Sequence, residues 1–142
     1  MTGRGCIVVG VDGSESSQRA LAFALDEARL RGWEVEVLHA WSYTTMTFSP
    51  FTPTANIGGA DIEAAGSEIL DRVLAAAETS GATVTRRLVM DASAAHALLE
   101  AAAAAGLLVL GTRGHGPVAD LLLGSTSEHC AHHPPCPIVI VP

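Results

Sequence analysis

The hydrophobic positions of the chain follow two different patterns, which alternate along its length. Runs in which nearly every residue is apolar occupy 6–11, 107–110 and 137–141. Such runs are typical of strands that are buried on both faces of a parallel sheet. The segments 33–41 and 82–90 carry the alternating, β-branched pattern of two further strands. The pattern therefore predicts five strands.

Between the strands, apolar residues recur every three or four positions, which is the spacing of an amphipathic helix. Serine begins three of these segments and glycine follows three of them, and both residues are common at helix ends. The predicted helices cover 14–31, 61–80, 93–105 and 125–132. Strict alternation of strands and helices implies right-handed crossovers and a parallel sheet with helices on both faces. A chain of 142 residues in this pattern is predicted to form one α/β domain over 1–142.

One long segment, 42–59, shows neither period. It contains two prolines, an adjacent pair of glycines and many hydroxyl side chains. Loops of this length inside a compact domain are uncommon and tend to be functional lids or disordered segments. We expect this loop to be mobile without a ligand.

Charge and composition exclude several classes of protein. The net charge is −7 and the chain contains no lysine, so binding to nucleic acid or to an anionic membrane is disfavoured. The longest uncharged apolar run, 101–110, is about half as long as a membrane-spanning helix. The amino terminus has no signal-peptide pattern, which indicates a cytoplasmic protein. The three cysteines are then expected to be free thiols.

The segment 107–127 contains the strongest candidate for a binding site. A strand is followed by a glycine-rich loop and by a new helix start. Uncovered backbone N–H groups and the positive end of a helix suit an anion such as phosphate. A Walker ATPase loop is excluded because it needs a lysine. The first strand ends in 10–13, Gly-Val-Asp-Gly, which lacks the third glycine of the dinucleotide fingerprint, so NAD is not expected.

Each candidate residue also has a purely structural interpretation. The segment 111–116 could be a plain strand-to-helix connection, and Asp12 could equally be a turn or N-cap residue. His39, on a strand expected to be buried, is favoured as a core residue with its hydrogen bonds satisfied. We assign no metal site, because the histidines and cysteines of 129–136 match no recognised ligand spacing. We also assign no catalytic residue, because no triad or carboxylate pair can be located from sequence.

The glycine spacing carries a resemblance to a known family. From Gly111 the chain reads Gly, two residues, Gly, nine residues, Gly-Ser, which resembles the nucleotide-binding signature of the universal stress protein family. The motif at 11–14, Val-Asp-Gly-Ser before a helix, resembles the family's amino-terminal motif. Residues 128–141 are similar to its closing helix and strand. The resemblance covers nearly the whole chain apart from 42–59.

The resemblance implies a fold and a set of binding residues. The implied fold is a Rossmann-like, adenine nucleotide alpha hydrolase-like three-layer sandwich, with a five-stranded parallel sheet in the order 3-2-1-4-5. The implied ligand is ATP or another adenine nucleotide, with Mg²⁺ on its phosphates. The residues that match the family's nucleotide-binding positions, or lie beside them, are Asp12, Gly13, Ala40, Gly111, Thr112, Arg113, Gly114, His115, Gly124, Ser125, Thr126 and Ser127.

The function implied by the resemblance is a nucleotide-dependent regulator of the stress response, at most a slow ATPase. A homodimer is expected through the apolar terminal strand 137–141, because an uncovered edge strand of this composition would otherwise promote aggregation. Two alternatives stay open from the sequence. One is a nucleotide-independent dimeric scaffold of the same fold, and the other is an enzyme acting on an adenylated substrate.

Overall fold

The computed structural model describes residues 5–41, 59–112 and 124–142. Within them, five strands alternate with four helices, as the hydrophobic pattern predicts. In chain order these are β1 (Cys6–Gly10), α1 (Glu15–Arg31), β2 (Glu34–Trp41), α2 (Gly59–Ala75), β3 (Thr83–Met90), α3 (Ala94–Ala102), β4 (Leu107–Gly111), α4 (Ser125–His132) and β5 (Ile138–Val141). Most of the loop predicted at 42–59 lies outside the described residues, and its last residue, Gly59, already belongs to α2.

The five strands form one parallel sheet in the order β3-β2-β1-β4-β5, which confirms the expected fold. Val9 pairs with Val37 of β2 on one side and with Val109 of β4 on the other. The chain therefore builds the sheet outward from β1 in one direction and then in the other. Strand order reverses between β1 and β4, and this is where α/β sheets of this kind place their ligand sites.

Helices cover both faces of the sheet and create two separate cores. On one face, α1 and α2 pack against side chains that include Ile7, Val9 and Val109. On the other face, α3 and α4 pack against Val8 and Leu108. Alternate residues of the central strands point to opposite faces, so a continuous apolar run serves both cores.

Two helices end earlier than the sequence pattern predicts. The helix predicted at 61–80 covers Gly59–Ala75, and beyond it the Arg29 guanidinium of α1 donates hydrogen bonds to the carbonyls of Glu78 and Ser80. The helix predicted at 93–105 covers Ala94–Ala102, and Ala104 and Ala105 after it make i→i−3 bonds. In both cases the residues after the helix make other hydrogen bonds than those of a continued α-helix.

The two edges of the sheet differ in charge. β3 carries Arg86 and Arg87, which pair with Asp71 and Glu36, and the paired charges protect that edge from further strand addition. β5 is Ile-Val-Ile-Val, with all four residues partly buried. Among the described residues, no helix is long and apolar enough to cross a bilayer.

Candidate functional site

The carboxyl ends of β1 and β4, from which two loops begin, lie next to each other in the sheet. The pairing of β1 with β2 continues beyond Gly10, since the Val11 amide donates to the Leu38 carbonyl at 2.9 Å. On the other side, the Thr112 amide donates to the Val141 carbonyl, also at 2.9 Å. The sheet thus fixes where both loops begin.

The loop after β1 is a tight turn that leads directly into α1. The Asp12 carboxylate accepts a hydrogen bond from the Ser14 amide at 2.9 Å, and the Ser14 hydroxyl accepts one from the Ser17 amide at 3.2 Å. Gly13 has φ 85°, a left-handed conformation in which a Cβ is strained. Asp12 and Gly13 therefore have structural roles in the turn, alongside the contact with nucleotide that the resemblance implies for them.

Two short hydrogen bonds join the end of β4 to the start of α4. The Gly124 amide donates to the Thr112 carbonyl at 2.5 Å, and the Ser127 hydroxyl donates to the Gly111 carbonyl at 2.5 Å. These bonds bring the start of α4 against the end of β4. Gly124 is the N-cap residue of α4 and contributes no side-chain cap. The first turn of α4 therefore presents backbone N–H groups at this edge.

Gly111 is required by packing between β4 and α1. A Cβ built at Gly111 would lie 2.2 Å from the Ser16 hydroxyl oxygen, 2.7 Å from the Ser16 carbonyl carbon and 2.8 Å from its oxygen. Two of these three atoms are backbone atoms that a rotamer change cannot move. The glycine thus lets the first turn of α1 approach the end of β4.

Ser16 is a site residue that the sequence interpretation missed. It is buried, its hydroxyl donates to the Val141 carbonyl at 3.3 Å, and it lies 3.5 Å from the Thr112 hydroxyl. It therefore joins α1 to the ends of β4 and β5. The only sequence signal was three serines in four residues at a helix start, and periodicity alone could not tell the buried ones from the cap.

The second strand contributes less to the edge. The Ala40 methyl packs against the core on the α3 and α4 face. His39 is buried, and its Nδ1 lies 2.8 Å from the Val11 carbonyl oxygen, which confirms the prediction of a satisfied core histidine. The predicted binding residues Arg113, Gly114 and His115 lie outside the described residues.

A second group of titratable side chains lies at the carboxyl end of β3. Nδ1 of His96 is 2.7 Å from the Asp91 carboxylate and 4.0 Å from the Glu100 carboxylate. The hydrogen bond with His96 lowers the pKa of Asp91, helped by one from the Ser93 amide. The same bond to Asp91, together with the attraction of its charge, raises the pKa of His96. The pair is therefore charged over a wider pH range than either group alone.

A cleft of about 480 Å³ lies between α3 and α4. Its lining consists of Leu99, Ser125, Glu128, His129, His132 and His133. Among the residues described by the structure, these histidines do not converge on a metal-sized cluster, whereas Asp91, His96 and Glu100 do. Helical spacing directs Cys130 away from the face of these histidines, and Cys130 is buried in the core.

Comparison with known proteins gives matches to a single protein family. The family model for the universal stress protein family matches residues 4–142. A universal stress protein of Mycobacterium tuberculosis is 32% identical over 138 residues, covering 94% of this chain and 44% of that protein. One from Mycolicibacterium smegmatis is 34% identical over 136 residues, covering 95% of this chain and 45% of that protein. The chain thus spans less than half the length of these curated relatives.

Solved structures show the same likeness over the full length of single domains. A protein of this family from Burkholderia pseudomallei superposes with a TM-score of 0.72 at 26% identity, covering 97% of this chain and 96% of that one. A universal stress protein in complex with cAMP superposes with a TM-score of 0.65 at 29% identity, covering 99% and 98%. Together with the match over 4–142, these likenesses establish that the chain belongs to the universal stress protein family.

Proposed function

We propose that this domain binds an adenine nucleotide at the carboxyl ends of β1 and β4 and acts as a cytoplasmic regulator of the stress response. The observation that carries the proposal is the start of α4, where Gly124 is held against Thr112 and leaves the first helical turn without a side-chain cap. A neighbour at 29% identity that is in complex with cAMP supports an adenine nucleotide as the ligand class.

The chemistry of this edge suits a phosphate group. Free N–H groups of a helix start and the partial positive charge of its dipole stabilise an anion without a lysine. Ser125 is exposed and Thr126 partly exposed on the same turn, and their hydroxyls can donate to phosphate oxygens. The Asp12 carboxylate, from the neighbouring loop, can accept a hydrogen bond from a ribose hydroxyl.

ATP with Mg²⁺ is the specific ligand that we propose. The net charge of −7 repels a polyphosphate, and a divalent ion on the phosphates reduces that repulsion. Arg113, Gly114 and His115 are proposed to complete the phosphate loop. We infer a regulator and not a catalyst, because the sequence offers no evident general base or arginine finger beyond His115 and Arg113. Turnover no faster than a slow ATPase is expected.

A charge substitution at Ser125 tests the site without disturbing its backbone. Ser125→Glu puts a carboxylate on the first turn of α4, where the helix dipole favours it but a phosphate is repelled. Two like charges about 4 Å apart near a protein surface repel by several kcal/mol, so the affinity for ATP is expected to fall at least about tenfold. Ser125→Gln is the matched neutral control, because glutamine has nearly the same shape as glutamate but no charge.

Calorimetric titration with ATP, AMP and cyclic AMP measures the effect, and mass spectrometry of nucleotide released from the purified protein identifies the natural ligand. Equal ATP affinity in the Glu and Gln variants would show that the start of α4 is not part of the binding site. Wild-type protein that binds none of the three nucleotides would favour the dimeric scaffold, a function consistent with the structural roles of Gly13 and Gly111.

We further propose a homodimer through β5. In the parallel register with β4, the carbonyls of Pro137 and Val141 face β4, so the backbone groups of Ile138 and Ile140 face the outer edge. This edge carries no charge, unlike the β3 edge with Arg86. Within the described residues no strand pairs with it, and a second copy of the strand would satisfy its hydrogen bonds.

Ile140→Pro tests this interface, because proline removes one outward N–H group and is tolerated at sheet edges. Sedimentation is expected to show a dimer for the wild type, a monomer for Ile140→Pro, and a dimer for the control Ile140→Thr, which keeps the N–H group. A wild-type monomer at micromolar concentration would contradict the proposal.

A further inference from the structure

We propose that Asp91, His96 and Glu100 form a binding site for a divalent transition-metal ion, at the carboxyl end of β3. One ligand atom from each of these side chains lies within 4.8 Å of the other two. The group lies at the end of β3, which is two strands along the sheet from β1 and three from β4. Its presence does not depend on the proposed function.

The fold fixes the first of the three ligands. The Asp91 amide donates to the Trp41 carbonyl at 3.0 Å, which extends the β2 and β3 pairing by one residue. The Ser93 amide donates to Asp91 Oδ1 at 2.9 Å, so the other carboxylate oxygen, Oδ2, faces His96. Asp91 is largely covered, with its side chain 20% exposed. Its carboxylate is thus oriented before any ion binds.

The other two ligands come from one face of α3. His96 and Glu100 are four residues apart, so their side chains lie one above the other on the helix. Both are exposed, and their side chains are free to adjust. The Ser93 hydroxyl accepts a hydrogen bond from the His96 amide at 3.1 Å and fixes the backbone from which the imidazole projects.

The measured separations suit a metal ion. Ligand atoms bound tetrahedrally to zinc at about 2.1 Å lie about 3.4 Å from one another. Nδ1 of His96 is 2.7 Å from Asp91 Oδ2 and 4.0 Å from Glu100 Oε2, so the two distances bracket that value. Small side-chain rotations, with the imidazole neutral, would convert the hydrogen-bonded group into a metal site.

Charge and donor type indicate the class of ion. Two carboxylates and a neutral imidazole offset the charge of a divalent cation, and the net charge of −7 attracts cations to the protein. The partial positive charge at the start of α3 opposes a cation, but Glu100 lies in the second turn, where that effect is weak. A set of one nitrogen and two oxygens suits zinc, cobalt or nickel better than Mg²⁺, which prefers oxygen ligands alone.

Glu100 distinguishes a metal site from a simple hydrogen-bonded pair. An Asp–His pair at a helix start is complete without a second carboxylate, and Glu100 is too far from Nδ1 for a hydrogen bond. The Glu100 charge also attracts the imidazole when it is protonated. At a mildly alkaline pH, where the imidazole is neutral, an ion between the three groups would give Glu100 a further role. Glu100→Gln, exposed and isosteric, is therefore the decisive variant.

The test is calorimetric titration of the EDTA-treated chain with zinc chloride, at mildly alkaline pH. We expect one site in the wild type, at least about tenfold weaker binding in Glu100→Gln, and a larger loss in His96→Gln. His132→Gln removes an imidazole from the cleft between α3 and α4 and is the matched control, with unchanged affinity expected. Circular dichroism checks that each variant is folded.

Three results would each overturn the proposal. They are the absence of zinc binding in the wild type, an affinity that Glu100→Gln leaves unchanged, and a loss of binding in His132→Gln as large as that in Glu100→Gln. NMR provides an independent measurement, because zinc should shift the ring resonances of His96 before those of His129 or His133. Nucleotide binding is measured separately, so failure here and failure of the proposed nucleotide site are distinguishable.

Discussion

Replacement of Gly111 by alanine is expected to destabilise the fold rather than simply empty a ligand site. The added Cβ would lie 2.7 and 2.8 Å from the backbone carbonyl carbon and oxygen of Ser16, where ordinary contact begins at 3.4 Å. To restore ordinary contact with both atoms, the first turn of α1 or the end of β4 must move by about 0.7 Å. Both elements are held by buried neighbours, including Ala20 and Val109.

The expected magnitude follows from overpacking. Forcing an extra methyl into a packed region costs about 1–3 kcal/mol. Replacing a flexible glycine within a strand also stabilises the fold by about 0.5–1 kcal/mol, because alanine lowers the conformational entropy of the unfolded chain. The free energy of unfolding of Gly111→Ala should thus fall by about 1–2 kcal/mol, or about 3–6 °C in melting temperature for a domain of this size. Urea denaturation followed by circular dichroism measures it.

Gly66→Ala is the matched control. Its Cβ would also make one short contact, 2.9 Å, but with the tip of the Leu88 side chain, which can rotate away. Gly66 lies within α2, where alanine gains about 1 kcal/mol in helix propensity. This variant should be as stable as the wild type or more stable. Equal losses in Gly66→Ala and Gly111→Ala would refute the distinction between backbone and side-chain contacts.

The double variant Ser16→Ala, Gly111→Ala identifies the limiting atom. Removing the Ser16 hydroxyl eliminates the contact at 2.2 Å but leaves both backbone contacts. Gly111→Ala should therefore cost nearly as much stability in the Ser16→Ala background as in the wild type. If that cost disappeared in the Ser16→Ala background, the hydroxyl would be the only obstacle. A loss of nucleotide binding in Gly111→Ala alone would thus not identify a ligand contact, which is why Ser125 is the better probe.

Three further outcomes are expected. Gly13→Ala should lower the free energy of unfolding by about 1–2 kcal/mol, because Gly13 has φ 85°. Gly32→Ala should lower it by a similar amount, because Gly32 has φ 69° although no atom lies within 4 Å of the added Cβ. If Gly32→Ala left stability unchanged, a positive φ would not be the cause of the loss. Burial raises the pKa of Cys130 from 9.0 to about 11, so the folded state keeps a proton that the unfolded state loses. The contribution of this thiol to the free energy of unfolding is fully present below pH 9.0 and is lost as the pH rises toward about 11. The loss has a slope of up to about 1.4 kcal/mol per pH unit. Cys130→Ala should reduce that slope in denaturation curves measured at several pH values. The native Cys130 thiol should also react with a thiol reagent only after unfolding, because it is fully buried; fast native reaction would refute its burial.

The order and type of the elements could be predicted from the sequence because they depend on local pattern. The apolar run at Cys6–Gly10 and the serine and glycine at the ends of α1 specify a strand and a helix with few long-range contacts required. Helix ends were predicted less well. The stretch after the end of α2 at Ala75 accepts hydrogen bonds from Arg29, which is distant in sequence, so this contact is visible only in the fold.

The glycine spacing from Gly111 to Gly124 indicated the location of a candidate site but not the reason for each glycine. The sequence offered ligand contact and turn geometry as alternatives for Gly111. The structure adds a third cause, the close approach of Ser16, which no local pattern reveals because the two residues are 95 positions apart. Asp12 likewise proves to stabilise its own turn, and its contact with a nucleotide stays a prediction.

By itself the sequence determined the alternation of strands and helices, the parallel sheet and the family, since hydrophobic period and glycine spacing are local properties of the chain. Only the tertiary structure decided which polar groups meet. Ser16 reaches Thr112, and His39 reaches the Val11 carbonyl, because the ends of parallel strands and the starts of the following helices are brought to one edge of the sheet. Contacts of this kind depend on distances across the sheet, and distances across the sheet are set by packing.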